Sequence, residues 1–354
     1  MTQRCPPFLD KFKKWVRENR PQWAGGLDDI SPYLMSPTRV EIGRDVYQAM
    51  ASLAVSLHRL LLTHPPETEW KPVSVPPLMA SYDFYITADG PRLIEINTNA
   101  AGYPLLGLLT GYHQLDDSAV DDQLIQLLRE VDSSPTPTIG LVDDQPLAQK
   151  TYFEFAMLFH WIQSMGWGCH ILDIREPFPD NITSIYNRYC DFEWATPTSA
   201  ALRAWDQMGK PLSPHPWHYV SLAKKTRLID AKKYLPPDYA SMVPDTWLFS
   251  ERDKSEWWEA RKGLFFKPIS GFGSRGVYRG QGMSRGVMDR FDDHTLVQTR
   301  LDPIPIETSM GIFKSDFRLY VHGERVMLMG ARLFQGQVTN VQTMGGGFAA
   351  VSIR

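Results

Sequence analysis

Two short stretches hold the residue types that could do chemistry. Residues 264–277 read Leu-Phe-Phe-Lys-Pro-Ile-Ser-Gly-Phe-Gly-Ser-Arg-Gly-Val. An apolar run ends at Lys267-Pro268, and Gly271, Gly273 and Gly276 then surround Ser274 and Arg275. Such a loop can lay backbone N–H groups against phosphate oxygens with no Cβ in the way. Lys267 and Arg275 add cationic donors, so the stretch predicts a nucleotide triphosphate site. The second stretch is Glu95-Ile96-Asn97-Thr98-Asn99. On a strand, side chains two apart share a face, which groups Glu95, Asn97 and Asn99 and leaves Ile94 and Ile96 opposite. Three oxygen-bearing side chains in a row are costly to bury without partners. A hard cation such as Mg2+ would satisfy them, since it takes carboxylate, amide and phosphate oxygens. An edge strand with one solvated face is the alternative reading. The small-residue turn from Ala100 to Pro104 favours a site at the strand end.

The glycine spacing excludes several loop classes. A Walker loop needs Gly-Lys-Ser/Thr leading into a helix, and none occurs. Gly271-x-Gly273-x-x-Gly276 matches the dinucleotide fingerprint, but that motif must open a helix. Here Val277-Tyr278-Arg279-Gly280 follows, which predicts a returning strand. A protein kinase would need a downstream lysine, a catalytic Asp and Asp-Phe-Gly; Asp316-Phe317-Arg318 is not that motif. What remains is a strand lysine entering a glycine-rich hairpin over phosphates. The nine histidines form no cluster at metal-ligand spacing, and no serine-histidine-acid set can be nominated.

Elements that could position these residues follow from periodicity. Helical patterns cover 8–20 and 41–63, the second through Val46, Met50, Leu53, Ala54, Leu57 and Leu61, ending before Pro65-Pro66. Residues 81–97 predict a hairpin with its turn at Asp89-Gly90. A helix over 118–131 and a linker from Ser133 to Pro137 come next. Strand 138–142, helix 147–165 and strands 169–174 and 183–189 then alternate as in a doubly wound parallel sheet. Residues 216–262 predict helix around Leu222–Tyr234 and a loop through Pro236-Pro237. The remainder is strand-rich, at 264–267, 276–279, 295–299, 316–322, 325–333 and 347–353.

The 354 residues are 43% hydrophobic and 22% charged, an ordinary globular composition long enough for two or three domains. A net charge of -3 gives no electrostatic case for nucleic acid or an anionic membrane. The basic cluster Lys11, Lys13, Lys14, Arg17 and Arg20 predicts a solvated helix face. No apolar run reaches the roughly 20 residues of a membrane span. The start of the chain has no apolar signal region, and Cys5, Cys169 and Cys190 are scattered, so a reducing, cytoplasmic setting is expected.

Glu-x-Asn on a strand, a helical lysine and a Lys-Pro hairpin together resemble the ATP-grasp ligases. Here the Glu-x-Asn pair precedes the lysines, an order similar to the circularly permuted branch typified by eukaryotic-type glutathione synthetases. Tyr82-Asp83-Phe84 and Leu93-Ile94-Glu95-Ile96-Asn97-Thr98 resemble that family's metal hairpin. Ala223-Lys224-Lys225 resembles its first ATP lysine, with Lys225 preferred over Lys224. Lys267-Pro268 and the glycines resemble its phosphate loop, and Gly345-Gly346-Gly347-Phe348-Ala349-Ala350 its lid loop. The family's loop carries a metal-binding glutamate where this chain has Gly271, so a third carboxylate is expected from Asp83 or Asp316.

The resemblance implies a permuted ATP-grasp fold, α+β with an inserted doubly wound α/β substrate domain. It divides the chain into 1–135 with the metal hairpin, 136–215 as a Rossmann-like substrate domain, and 216–354 as lid and nucleotide core. It implies ATP and Mg2+ as cofactors. Glu95, Asn97 and Asp83 would be metal ligands. Lys225, Lys267, Gly271, Gly273, Ser274 and Gly276 would hold phosphates, and Gln298, Thr299 and Arg300 would form the adenine hinge. Arg275, Arg318 and Lys267 would act on the transferring phosphoryl group. Asn187, Arg188, Arg332, Gly346 and Gly347 would contact substrate. The implied reaction is carboxylate-amine ligation through an acyl phosphate, with small-molecule acid and amine as partners and a possible homodimer. A small-molecule kinase and a non-catalytic nucleotide-binding module are the rival readings.

Overall fold

The computed structural model describes residues 7–117, 119–271, 276–337, 339–340 and 343–354. The chain opens with helix α1 (Pro7–Asn19), whose Leu9, Phe12 and Val16 are buried at helical spacing. Strand β1 (Val40–Ile42) leads into α2 (Arg44–Thr63), which buries Met50, Leu53, Ala54, Leu57 and Leu61. The hairpin forms as β2 (Ser81–Thr87) and β3 (Gly90–Asn97). Helix α3 (Tyr103–Tyr112) follows, where the sequence suggested only a turn. Its start fits Pro104 in the first turn. It is apolar on nearly every side, so no amphipathic period betrays it.

Helix α4 (Val120–Val131) precedes β4 (Thr138–Asp143), α5 (Tyr152–Ser164), β5 (Gly168–Asp173), β6 (Ser184–Asn187), α6 (Ala200–Gln207) and β7 (Leu212–Ser213). These strands form a parallel sheet in the order β5-β4-β6-β7. Ile139, Leu141 and Tyr186 join the core that holds Met157 and Ile162 of α5, while Val142 and Ile185 pack with Leu202 and Trp205 of α6. Both faces are therefore covered, as a doubly wound sheet requires.

A helical turn α7 (Pro216–His218) runs into π-helical residues Tyr219–Ala223. The helix expected around 222–234 breaks at Lys224–Thr226 and resumes as α8 (Arg227–Tyr234). Pro237 starts α9 (Pro237–Met242) where the sequence suggested a loop; proline tolerates a first turn because its missing N–H is unpaired there anyway.

Strands β8 (Thr246–Leu248), β9 (Leu264–Pro268), β10 (Tyr278–Arg279) and β11 (Thr295–Thr299) form an antiparallel sheet ordered β10-β9-β11-β8. Its small core contains Phe249, Trp257, Leu264, Phe266, Met288 and Val297. Strands β12 (Ile306–Thr308), β13 (Gly311–His322), β14 (Arg325–Phe334) and β15 (Gly347–Ile353) complete the chain. The largest sheet runs β1-β15-β14-β13-β2-β3, with β12 paired to the start of β13. It thus joins the early hairpin to strands from the far end of the sequence. One face packs Tyr82, Phe84, Leu93, Phe317, Leu319, Ala331 and Leu333 against α2, 219–223 and α8. On the other, α3 approaches so closely that a Cβ on Gly330 would lie 2.3 Å from Leu106.

Candidate nucleotide site

The site grows from one row of residues crossing three strands. Arg318 of β13 faces Asp83 of β2, and Asp83 faces Glu95 of β3. The flanking row is Tyr320, Ser81 and Asn97. A bulge between Asp83 and Phe84 breaks the strict alternation of β3. Leu93 and Ile96 are both in the core, three residues apart, so the bulge re-aims Ile94 and lets Glu95 and Asn97 share the polar face.

Asp83 is fully buried, and its oxygens are filled. Arg318 Nε donates to Oδ1 at 2.8 Å and Nη2 to Oδ2 at 2.7 Å; Arg332 Nη2 and Asn97 Nδ2 reach Oδ2 at 2.8 and 3.2 Å. Arg332 also donates to Asp316 at 2.7 and 3.0 Å, and Thr339 Oγ1 donates to Asp316 at 2.5 Å. Burial alone would raise the Asp83 pKa; Arg318 and Arg332 more than reverse it and hold the carboxyl below its usual range. Asp316, with a smaller share of the cations, stays above it because burial wins. The sequence expectation of a metal role for Asp83 does not match these contacts, because its charge is matched by two guanidinium groups. Arg318, expected at the phosphoryl group, is buried beside Asp83 and donates its Nη1 to Ala101 O at 3.0 Å. Arg332, expected at substrate, bridges Asp83 and Asp316.

Glu95 opens onto a narrow cleft between β3, the 222–228 segment and the sheet of β9 and β11. Ile94, Ile96, Leu222, Leu228 and Leu296 supply apolar walls, and Lys225, Lys267, Thr246 and Gln298 the polar groups. Lys225 Nζ donates to Pro268 O at 3.1 Å and Gly271 O at 2.9 Å, which ties it to the glycine loop. Lys224 instead pairs with Glu193 at 3.0 Å. Lys267 Nζ donates to Gln298 Oε1 at 2.5 Å, and Gln298 Nε2 to Thr246 Oγ1 at 3.2 Å. Removal from water depresses both lysines; Lys267 falls to about 8 although Glu95 pulls the other way.

Gly271 has φ 135° and Gly276 φ 70°, backbone that glycine adopts readily. Gly273, Ser274 and Arg275 lie outside the described residues. Thr299 and Arg300 do not offer free backbone donors for adenine, since their N–H groups bond Asp245 O and Gly263 O at 2.9 and 2.8 Å. The Arg300 side chain turns to Asp302, Gln281 and Lys262 O. Gln298 and Thr246 therefore matter through their side chains, which sequence reasoning did not anticipate because nothing marks a strand residue as cleft-facing until the sheets are placed.

Asn187 and Arg188 sit at the carboxyl ends of β4 and β6, where the winding changes direction and open α/β sheets form ligand crevices. Both are buried: Asn187 Nδ2 donates to Pro214 O at 3.3 Å, and Arg188 Nη1 to Tyr186 Oη at 2.9 Å, with Glu154 at 3.4 Å. Glu154 also accepts the Gly102 N–H at 3.1 Å, which joins the crevice to the turn after β3. Nearby Asp143 is pushed up to about 6 by burial.

The triple glycine is not a mobile lid. Residues 345–350 are buried, and β15 is clamped by the segment before β1: Phe348 N donates to Leu34 O and Ser36 N to Phe348 O, both 2.8 Å, and Ser36 Oγ to Gly345 O at 2.7 Å. Gly347, at φ 95°, lies so close that a Cβ would be 2.4 Å from the Leu34 carbonyl carbon. Close backbone approach, not closure over substrate, requires the glycine.

The donor set suits one magnesium ion. Asn97 turns its Nδ2 toward Asp83 and Glu95, at 3.2 and 3.3 Å, which leaves Oδ1 as its acceptor beside the Glu95 carboxylate. One carboxylate and one amide oxygen match the way magnesium is held when nucleotide phosphates and waters complete its shell.

No protein-family model and no curated protein matches the sequence. Solved structures share its fold. A glutathione synthetase-like effector from Globodera pallida in its apo form superposes with a TM-score of 0.57 at 12% identity, over 98% of this chain and 96% of that one. A gamma-glutamylcysteine synthetase-like protein from Methylobacillus flagellatus superposes with a TM-score of 0.53 at 11% identity, over 89% of each. Three sheets in this order, with the early hairpin completing the late one, give the chain the fold shared with these two synthetase-like proteins.

Proposed function

We propose that the chain is an ATP- and magnesium-dependent carboxylate-amine ligase acting on an amino acid or small peptide. One observation carries this: Lys225, Lys267 and Glu95, distant in sequence, line one cleft, with Lys225 tied to the Pro268 and Gly271 carbonyls. The lysines would bind triphosphate oxygens, with Lys225 exchanging its loop carbonyls for phosphate. Leu222, Leu228 and Leu296 would supply apolar contacts to a base once the narrow cleft widens, and Gln298 and Thr246 polar ones. Glu95 and Asn97 would hold magnesium, which when bound neutralises charge on the transferring phosphates. A substrate carboxylate oxygen attacks the γ-phosphorus, giving an acyl phosphate and ADP. The amine nitrogen then attacks the acyl carbon, phosphate leaves, and the nitrogen loses a proton to give the amide. Positioning and charge neutralisation dominate such chemistry.

The test is ADP release by the purified protein with magnesium and ATP across a panel of amino acids and short peptides. Release that requires an acid together with an amine, and is lost in Lys267→Met and Glu95→Gln, supports the ligase. Release with a single hydroxyl-bearing substrate would replace it with a kinase. Nucleotide binding with no turnover across the panel would favour a non-catalytic module, a reading to which the absent third carboxylate lends weight.

A further inference from the structure

We infer that this nucleotide site works with a single divalent cation, and that the buried Arg318–Asp83–Arg332–Asp316 cluster closes the place where a second would need its ligands. The inference rests on the reading of the cleft as an ATP site.

Three observations converge. First, Gly271, where the glycine loop begins, has its backbone at φ 135°, in a region that a residue with a Cβ rarely adopts, and it brings no side-chain ligand. Its carbonyl accepts the Lys225 ammonium at 2.9 Å, so a positive charge already occupies that side of the loop. Second, both carboxylates that could compensate are saturated. Asp83 accepts from two arginines and Asn97, and Asp316 accepts from Arg332 and Thr339. A cation at either would lose those bonds and stand beside a guanidinium that cannot give up its proton. Third, no three Asp, Glu, His or Cys side chains among the described residues gather as a cation cage. The undescribed positions, 1–6, 118, 272–275, 338 and 341–342, contain no Asp, Glu or His at all. Among the described residues the protein's own ligands therefore reduce to Glu95 and Asn97, with the buried and unpartnered Oδ1 of Asn99 the one further amide oxygen of that strand end, a set for one magnesium carried in on nucleotide phosphates.

Manganese binding followed by electron paramagnetic resonance tests this, with the full chain and an equimolar non-hydrolysable ATP analogue, AMP-PNP. The expected result is one tightly bound Mn2+ per chain. Two per chain would overturn the inference while leaving the ATP-site reading intact. Asp316→Asn, which keeps a hydrogen-bonding side chain of the same shape, is the second arm. Its Mn2+ count should stay at one with affinity close to that of the parent. Even a residue that only orients a ligand is commonly worth about 10–100-fold in metal affinity, so a loss of about tenfold or more would place Asp316 in a cation site and refute the inference. Calorimetry of AMP-PNP on the same samples separates the two ideas: absence of nucleotide binding would sink the ATP-site reading, and this inference with it.

Discussion

Lys267 ends an apolar strand and faces a cleft, so its ammonium is held where water is scarce. Its pKa of about 8 lies below that of a free lysine, and the empty site loses the charge as pH rises through that value. The unfolded chain keeps the proton to higher pH, so this group's cost to folding is largest below about pH 8 and fades above it. Nucleotide affinity should run the opposite way, falling above pH 8 in a titration with a fluorescent ATP analogue. Lys267→Arg, which stays charged, should flatten that fall; an unchanged profile would remove Lys267 from the phosphate contacts. Lys267→Met should weaken binding about 10–100-fold, the worth of one hydrogen bond to a charged group. Asp83 is constrained differently. Removing one partner of a buried, bonded ion pair typically costs about 3–5 kcal/mol, so Asp83→Ala should lose that much in urea unfolding, with strong coupling to Arg318 in a double-mutant cycle. Its depressed pKa means the contribution is full above the ordinary carboxylate range and is lost as pH falls below it.

At the scale of elements, the β2–β3 hairpin and strand β15 show what periodicity can and cannot convey. The hairpin was legible because its turn and alternation are local. The bulge at Ile94 was not, since it is set by the register of β3 against β2. Gly345 to Gly347 announced a backbone requirement, but whether the glycines move or are clamped depends on Leu34 to Ser36, more than three hundred residues earlier. Gly347→Ala should destabilise the fold by more than about 1 kcal/mol, because the new Cβ meets backbone at a positive φ. AMP-PNP affinity of the folded fraction should be unchanged. A stable variant that lost nucleotide affinity would restore the lid reading.

The whole molecule is three sheets with unequal support. The sheet of β8–β11 rests on a small core around Phe266 and Trp257, whereas the sheet containing β13 and β14 is packed on both faces. Local stability follows buried apolar contacts. Amide exchange should therefore be faster in β9 and β11 than in β13, and AMP-PNP should slow it in β9, β11 and around Lys225. Equal exchange, or protection confined to the parallel sheet, would contradict a nucleotide held between β3 and β9.

Local period and turn chemistry in the sequence carried helices α1 and α2, the hairpin and the alternating strands of the parallel sheet, and put Glu95, Asn97 and Lys267 forward as candidates, whereas Lys225 was preferred over Lys224 only on the family resemblance. Only the tertiary structure decided which charges cancel. Asp83 and Arg318 are 235 residues apart in the chain and adjacent across a strand pair. No local pattern distinguishes a carboxylate that awaits a cation from one already matched by arginine. That distinction belongs to the order of strands in a sheet, which brings together residues that never meet along the chain.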